Sequence, residues 1–264
     1  ALEPDAALAL VCQRLGVVSV PAPVAQLLHT KAEGNPFYSQ ELAYTLRDSG
    51  LIRIADGECH LAEGRIDLNT VDLPDTVQGL ITSRIDRLPP QQQLTLKAAS
   101  VIGRSFGLEA LQHIYPVAVD RVALPEHLAA LDRLDLTTQE TPAPHPTYLF
   151  KHFITRDVAY NLMLFAQRKQ LHQAVAEWYE TTFSPELALY YELLAHHWLT
   201  AEAPDRARGY LEKAGDQALE SYANEEAIRF YSQALGLPGS EIERGRRAHL
   251  ELRLGEAYVN ATQY

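Results

Sequence analysis

The chain has 264 residues, enough for about two domains with cores of their own. Its 47% hydrophobic and 22% charged residues exclude wholesale disorder, and its net charge of -11 excludes the basic footprint that duplex nucleic acid or a membrane surface requires. No apolar run approaches the roughly 18 residues that would span a bilayer. Two cysteines, Cys12 and Cys59, are too few for a disulfide framework and point to a reducing, cytoplasmic setting. There is no Gly-Lys dipeptide, hence no phosphate-cradling loop, and there is no H-E-x-x-H, C-x-x-C or G-x-S-x-G. His196 and His197 are adjacent and point to different faces of a helix, a poor metal geometry. No metal site and no catalytic constellation are expected, so the chain by itself reads as a non-enzyme. The sequence begins without Met or a signal-peptide pattern, and reads as a piece of something longer.

Nearly every long segment has helical periodicity. Pro4-Asp5 opens a helix carrying Leu8, Val11, Cys12 and Leu15 and closed by Gly16. Pro21 and Pro23 start a second, with Val24, Leu27 and Leu28. Gly34 ends it, and Pro36 suits the first turn of a third helix that carries Phe37, Leu42 and Leu46 and stops at Gly50. Two short apolar runs around Asp56-Gly57 predict a β-hairpin. Asp75 or Thr76 caps the next helix, which runs through Leu80, Ile81, Ile85 and Leu88 to Pro89-Pro90. Helices follow at 91–102, 107–115 and 121–134. Strands are expected at Leu134–Thr138 and Tyr148–Lys151, flanking a proline-rich loop. Three helices and then a hairpin is the order of a winged-helix domain. One long helical stretch, Ile154 to Phe183, closes that block.

The last third changes character. Ala214, Gly215 and Ala218, followed by Ala227, Tyr231 and Ala234, fit a tetratricopeptide helix pair, in which small residues let two helices approach closely. Leu254, Gly255 and Tyr258 repeat the first-helix pattern, with the extra spacing assigned to a linker from Gly236 to Gly239. The array stops inside its second unit and is expected to continue past Tyr264. The fold class is therefore mainly α, in four segments. Residues 1–50 form a helical layer, 51–72 a hairpin and linker, 73–183 a winged-helix block with a helical extension, and 184–264 the start of a repeat array.

Three stretches together resemble one family. Gly34-Asn35-Pro36-Phe37 with Glu41-Leu42 is similar to the G-N-P-F segment, with its following E-L, of STAND-type AAA ATPases, the signalling ATPases found with class III adenylate cyclases. Leu73-Pro74-Asp75-Thr76 through Leu88-Pro89, then Val101-Ile102-Gly103-Arg104-Ser105-Phe106, resembles the same family's winged-helix entry. Phe150-Lys151-His152 with Asp157-Val158-Ala159-Tyr160 is similar to its F-x-H-x-[LI]-x-x-[DE]-V-A-Y signature. The resemblance implies that residues 1–50 are the helical lid of an ATPase whose phosphate-binding core lies upstream and is missing here. It also implies ATP or ADP as the parent protein's cofactor, with none held by this chain alone. Two residues carry over as nucleotide contacts that need the missing core: Pro36 against the adenine ring and His152 on the β-phosphate of ADP.

The expected function is a non-catalytic regulatory arm of such an ATPase, coupled to a nucleotidyl cyclase. Lid and winged helix would respond to nucleotide, and the repeats would bind a protein or peptide. The alternative is a tetratricopeptide-type scaffold without nucleotide dependence. Nucleic acid and membrane are not expected as partners. Arg84, Arg87 and Arg104 are assigned to a solvated helix face, with Asp86 as a nearby partner. Arg168, Lys169 and His172 read as a solvated basic patch, and Tyr222, Phe230 and Tyr231 as packing between repeat helices.

Overall fold

The protein is seen in a computed structural model that describes residues 3–62, 68, 73–237 and 243–262. It is mainly helical, with a few short antiparallel strands, as composition and periodicity predict. Two compact units are formed. One holds the chain through Leu108 together with Val119–Leu162; the other holds Glu109–Ala118 together with the chain from Met163 onward.

The first unit begins with three helices that alternate with breakers. Helix α1 (Pro4–Leu15) turns Leu8, Val11, Cys12 and Leu15 toward the core and ends at Gly16, whose φ of 70° is the left-handed conformation that glycine adopts without penalty. Helices α2 (Ala22–Ala32) and α3 (Pro36–Asp48) bury Val24, Leu27, Leu28, Leu42 and Leu46 in that core. The expected hairpin is present as β1 (Ile52–Ala55) and β2 (Glu58–Leu61), paired Ile52 with Leu61 around Asp56-Gly57, both of which have positive φ. Helix α4 (Val77–Asp86) is capped by Thr76, whose hydroxyl accepts the Gly79 N–H at 3.1 Å.

Helix α5 (Pro90–Ile102) leads to β3 (Ser105–Gly107), then α6 (Leu108–Ile114), a 3-10 turn at Ala118–Ala123 and α7 (Leu124–Arg133). Strands β4 (Thr137–Thr141) and β5 (Thr147–Phe150) follow. The sheet order is β3-β5-β4, all antiparallel, with Ser105 opposite Leu149 and Thr137 opposite Phe150. Two expectations are corrected here. The first strand begins at Thr137, because Leu134 closes α7 and Asp135 reverses the chain at φ 61°. The central strand also gains an unforeseen neighbour, β3, which at three residues is too short to show an alternating pattern.

The expected continuous helix over 154–183 is two helices. Helix α8 (Phe153–Asn161) ends in the first unit, and α9 (Phe165–Thr182) begins in the second. Leu164 between them is extended, and its N–H is taken by the Gln167 side chain at 3.1 Å. The break lies in Met163-Leu164-Phe165, where uniformly apolar residues hide it from a periodicity reading.

The second unit continues through a 3-10 segment at Ser184–Tyr190, α10 (Tyr191–Thr200), α11 (Pro204–Glu220), α12 (Asn224–Gly236) and α13 (Arg244–Ala261). Helix α11 meets α12 tightly at Gly215, where an added Cβ would stand 2.7 Å from Tyr231 Cε1. Tyr231 is fully buried there, and its hydroxyl donates to Asp216 Oδ1 at 2.7 Å. Phe230 is buried beside it, as expected, whereas Tyr222 is exposed. The expected linker from Gly236 to Gly239 lies in part outside the described residues. Among the described residues no helix is long and apolar enough to cross a membrane.

Gly215→Ala should force the Tyr231 ring off its seat. The expected cost is about 1–3 kcal/mol in urea unfolding, from overpacking, net of the alanine's better helix propensity. An unchanged midpoint would show that α11 and α12 are not in close contact at this point.

Candidate functional site

The site grows out of the turn between α2 and α3. Glu33 and Gly34 both have positive φ, at 46° and 76°, and reverse the chain. Asn35 then caps α3, its side-chain oxygen accepting from Phe37 N–H and Tyr38 N–H at 3.1 Å each. Pro36 occupies the first helical position, where its missing N–H costs nothing. Phe37 and Gln40 then follow one turn apart, which puts them on one face of α3.

That face meets His152, the residue that precedes α8 in the first unit. The Phe37 ring stands edge-on to the imidazole, with centroids 4.6 Å apart, and Gln40 Nε2 lies 3.0 Å from His152 Nε2. The amide nitrogen has only hydrogens to offer, so His152 Nε2 must supply the lone pair and the ring proton must sit on Nδ1. A neutral imidazole is thereby required. Burial holds the His152 pKa below its ordinary value, and the positive charges of Arg14, Lys151, Arg84 and Arg104 lower it further. The two sequence-predicted residues, Pro36 and His152, thus lie on segments that the fold brings together, joined through Phe37 and Gln40.

Helix α3 is held in place by a buried network of charge. Arg84 of α4 donates through Nη1 to Glu41 Oε2 at 2.7 Å, through Nε to Asp48 Oδ2 at 2.8 Å, and through Nη2 to the Leu134 carbonyl. Arg47 bonds Asp48 at 2.9 Å and Asp135 at 3.2 Å, and Lys151, next to His152, pairs with Asp135 as well. The Arg84 and Glu41 side chains are each 1% exposed. The buried Tyr44 ring packs against both guanidinium groups, 4.8 Å from Arg47 and 4.9 Å from Arg84. Burial pushes the Glu41 carboxyl above its ordinary value, against the pull of Arg84. Its second oxygen, Oε1, has no hydrogen-bond partner among the described residues.

The assignment of Arg84 to a solvated face is therefore wrong: it is the central cation of a buried cluster. Its acidic partners lie far away in sequence, where helical spacing says nothing about them. Arg87 reaches the Thr45 carbonyl at 3.5 Å rather than pairing with Asp86, and Arg104 is exposed. Sequence reading also missed Gln40, because an amide in a helix carries no motif of its own.

In the second unit His172 is not part of a solvated patch. It is 1% exposed, and its Nδ1 lies 2.8 Å from Nδ1 of the equally buried His197. A groove of about 470 Å³ is lined by Glu192, His196, Leu199, Leu211, Arg229 and Leu237 of α10, α11 and the α12 end. Among the described residues no cluster of three or more His, Cys, Asp or Glu side chains could hold a metal ion.

Residues 3–60 match the model of a domain of unknown function, DUF8739. No curated protein matches the chain.

Replacing Arg84 by Met should destabilise the first unit by about 3–5 kcal/mol, because it leaves the Glu41 carboxylate buried without its partner and Asp48 with Arg47 alone. Adding Glu41→Gln to that variant should recover part of the loss, and chemical denaturation reads both. A loss below about 1 kcal/mol would show the cluster to be solvated. For His152 the folded pKa lies below the unfolded one, so its contribution is whole above the ordinary value near 6.5 and is lost as pH falls below it. The thermal midpoint of the wild type should therefore fall between pH 7.5 and 5.5 by more than that of His152→Gln. Equal falls would remove His152 as a cause.

Proposed function

We propose that this chain is the non-catalytic regulatory arm of a multidomain signalling ATPase of the STAND type, working in the cytoplasm and coupled to an upstream nucleotidyl cyclase. In this reading α1 to α3 are the lid over an ATPase core supplied by the longer protein. Pro36 and His152 face the nucleotide held by that core, and the α10 to α13 hairpins bind a protein or peptide. The observation that carries it is the meeting of α3 with His152, through Phe37 at 4.6 Å and Gln40 at 3.0 Å.

The chemistry at that point suits a phosphate. A neutral imidazole with its proton on Nδ1 offers a donor to a phosphate oxygen. The surrounding cations, Lys151 and Arg104 among them, disfavour a second proton on the ring yet attract an anion. A phosphate placed there would reverse the electrostatic balance and favour the imidazolium, so nucleotide and His152 protonation are linked. Loss of the phosphate would return the ring to its Gln40-bound neutral form. Binding and release thereby bias the α3–α8 contact in opposite directions.

A second reading is a tetratricopeptide-type scaffold that ignores nucleotide; the groove of about 470 Å³ on the second unit favours it. Calorimetric titration with ADP and ATP separates the two, using this chain and the chain extended upstream through the proposed core. The regulatory reading predicts binding by the extended chain alone, and at least a tenfold loss of ADP affinity in His152→Ala, worth about 1.4 kcal/mol. No binding by either chain, or equal ADP binding by the variant, would leave the scaffold reading in its place.

A further inference from the structure

Two imidazoles meet between α9 and α10. His172 of α9 and His197 of α10 are each 1% exposed, with ring centroids 4.9 Å apart and Nδ1 atoms 2.8 Å apart. Ala176 of α9, one turn past His172, and Leu194 and Trp198 of α10 belong to one apolar core. Two nitrogens at this distance are hydrogen-bonded only when one Nδ1 carries a proton and the other offers its lone pair. In the neutral pair the donor ring keeps a lone pair on Nε2, and the acceptor ring keeps its proton there. A first added proton goes to the donor's Nε2 and leaves the bond intact. A second must go to the accepting Nδ1, and it breaks the bond.

We propose that His172 and His197 are a proton-sensitive lock between α9 and α10, closed by the shared Nδ1 proton and opened when both rings are charged. Two imidazolium rings would turn N–H toward N–H across 2.8 Å, in a buried setting that favours neither charge. The helices must then part, or a ring must swing out to water. A folded pair that cannot hold two charges binds fewer protons than two solvated imidazoles do. Its contribution to stability is therefore whole above the ordinary histidine value near 6.5, and is lost as pH falls below it.

The charged groups on the packed elements add to the repulsion or are matched among themselves. Arg168 lies one turn before His172 on the same face of α9 and adds positive charge. Lys169 of α9 holds Glu202, just past α10, at 2.7 Å. Glu180 of α9 is held by Arg206 of α11 at 2.8 Å, and Glu192 of α10 by Arg229 of α12 at 2.9 Å. The 3-10 segment before α10 carries one charged residue, the exposed Glu186. From α10 the exposed His196 stands edge-on to both rings, with centroids 5.6 Å from His172 and 5.4 Å from His197. His196 also lines the groove of about 470 Å³, together with Glu192 and Leu199 of the same helix. Opening the lock therefore moves one wall of that groove.

The test is amide hydrogen exchange of the full chain at pH 7.5 and 5.0, corrected for intrinsic exchange rates and read by helix. Protection of α9 and α10 should fall at least about tenfold relative to that of α12 on acidification. His172→Gln keeps a hydrogen-bonding side chain but removes one imidazole, and should reduce that fall below about threefold. The effect expected of His152 belongs to the first unit and is read there. If His172→Gln does not fold, the imidazole nitrogen shifts of the wild type at pH 7.5 decide. They should show one protonated, pyrrole-type Nδ1 and one unprotonated, pyridine-type Nδ1. Two unprotonated Nδ1 atoms would overturn the proposal. So would an equal loss of protection in every helix, no loss in α9 and α10, or an undiminished loss in the variant.

Discussion

The Arg84 guanidinium is the point on which the first unit turns. It reaches three acceptors, on Glu41, Asp48 and Leu134, that come from two parts of the chain well separated in sequence. Taking one cation and two carboxylates out of water is expensive, and that expense is offset only when the geometry is complete. The planar fork of arginine satisfies several acceptors at once, which the point charge of a lysine cannot do. Arg47 and Lys151 extend the arrangement through Asp135, so three cations face three carboxylates and the cluster is balanced. The register of α3 follows from this. Glu41 and Asp48 fix the rotation of the helix, and with it the direction of Gln40 and Phe37.

From that rotation comes the state of His152. An imidazole between an amide donor and a phenyl edge, ringed by positive charge, is held neutral. A neutral histidine that can be charged by an approaching anion is a sensitive element, because one proton changes both its charge and its hydrogen bond. The proposed regulatory role asks nothing more of the residue. The second unit is built on a different principle: close helix approach at Gly215 against the Tyr231 ring, with Asp216 taking the ring hydroxyl. Its interior also contains the His172–His197 pair, whose two nitrogens at 2.8 Å cannot both carry protons.

Local chemistry was legible in the sequence. Gly16, Asn35-Pro36, Asp56-Gly57 and Thr76 each act within a few residues of themselves, and each sits where backbone geometry requires it. The small and aromatic offsets of α11 and α12 were legible for the same reason, since helical spacing sets which residues meet. Arg84 and His172 were misread because their partners lie in other elements, and a charged or polar residue on a helix looks solvated until those partners are known. The break between α8 and α9 was missed where every neighbouring side chain is apolar. Of the candidate site, the motif resemblance singled out Pro36 and His152, which lie on segments that meet in the fold, whereas Gln40 and Glu41, which give that meeting its geometry, were not singled out.

The most direct test of this account is the tautomer of His152, read from long-range proton–nitrogen NMR correlations of the imidazole at pH 7.5. The account predicts a protonated, pyrrole-type Nδ1 and an unprotonated, pyridine-type Nε2 that accepts from Gln40. A proton on Nε2, or the averaged shifts of a freely exchanging ring, would contradict it.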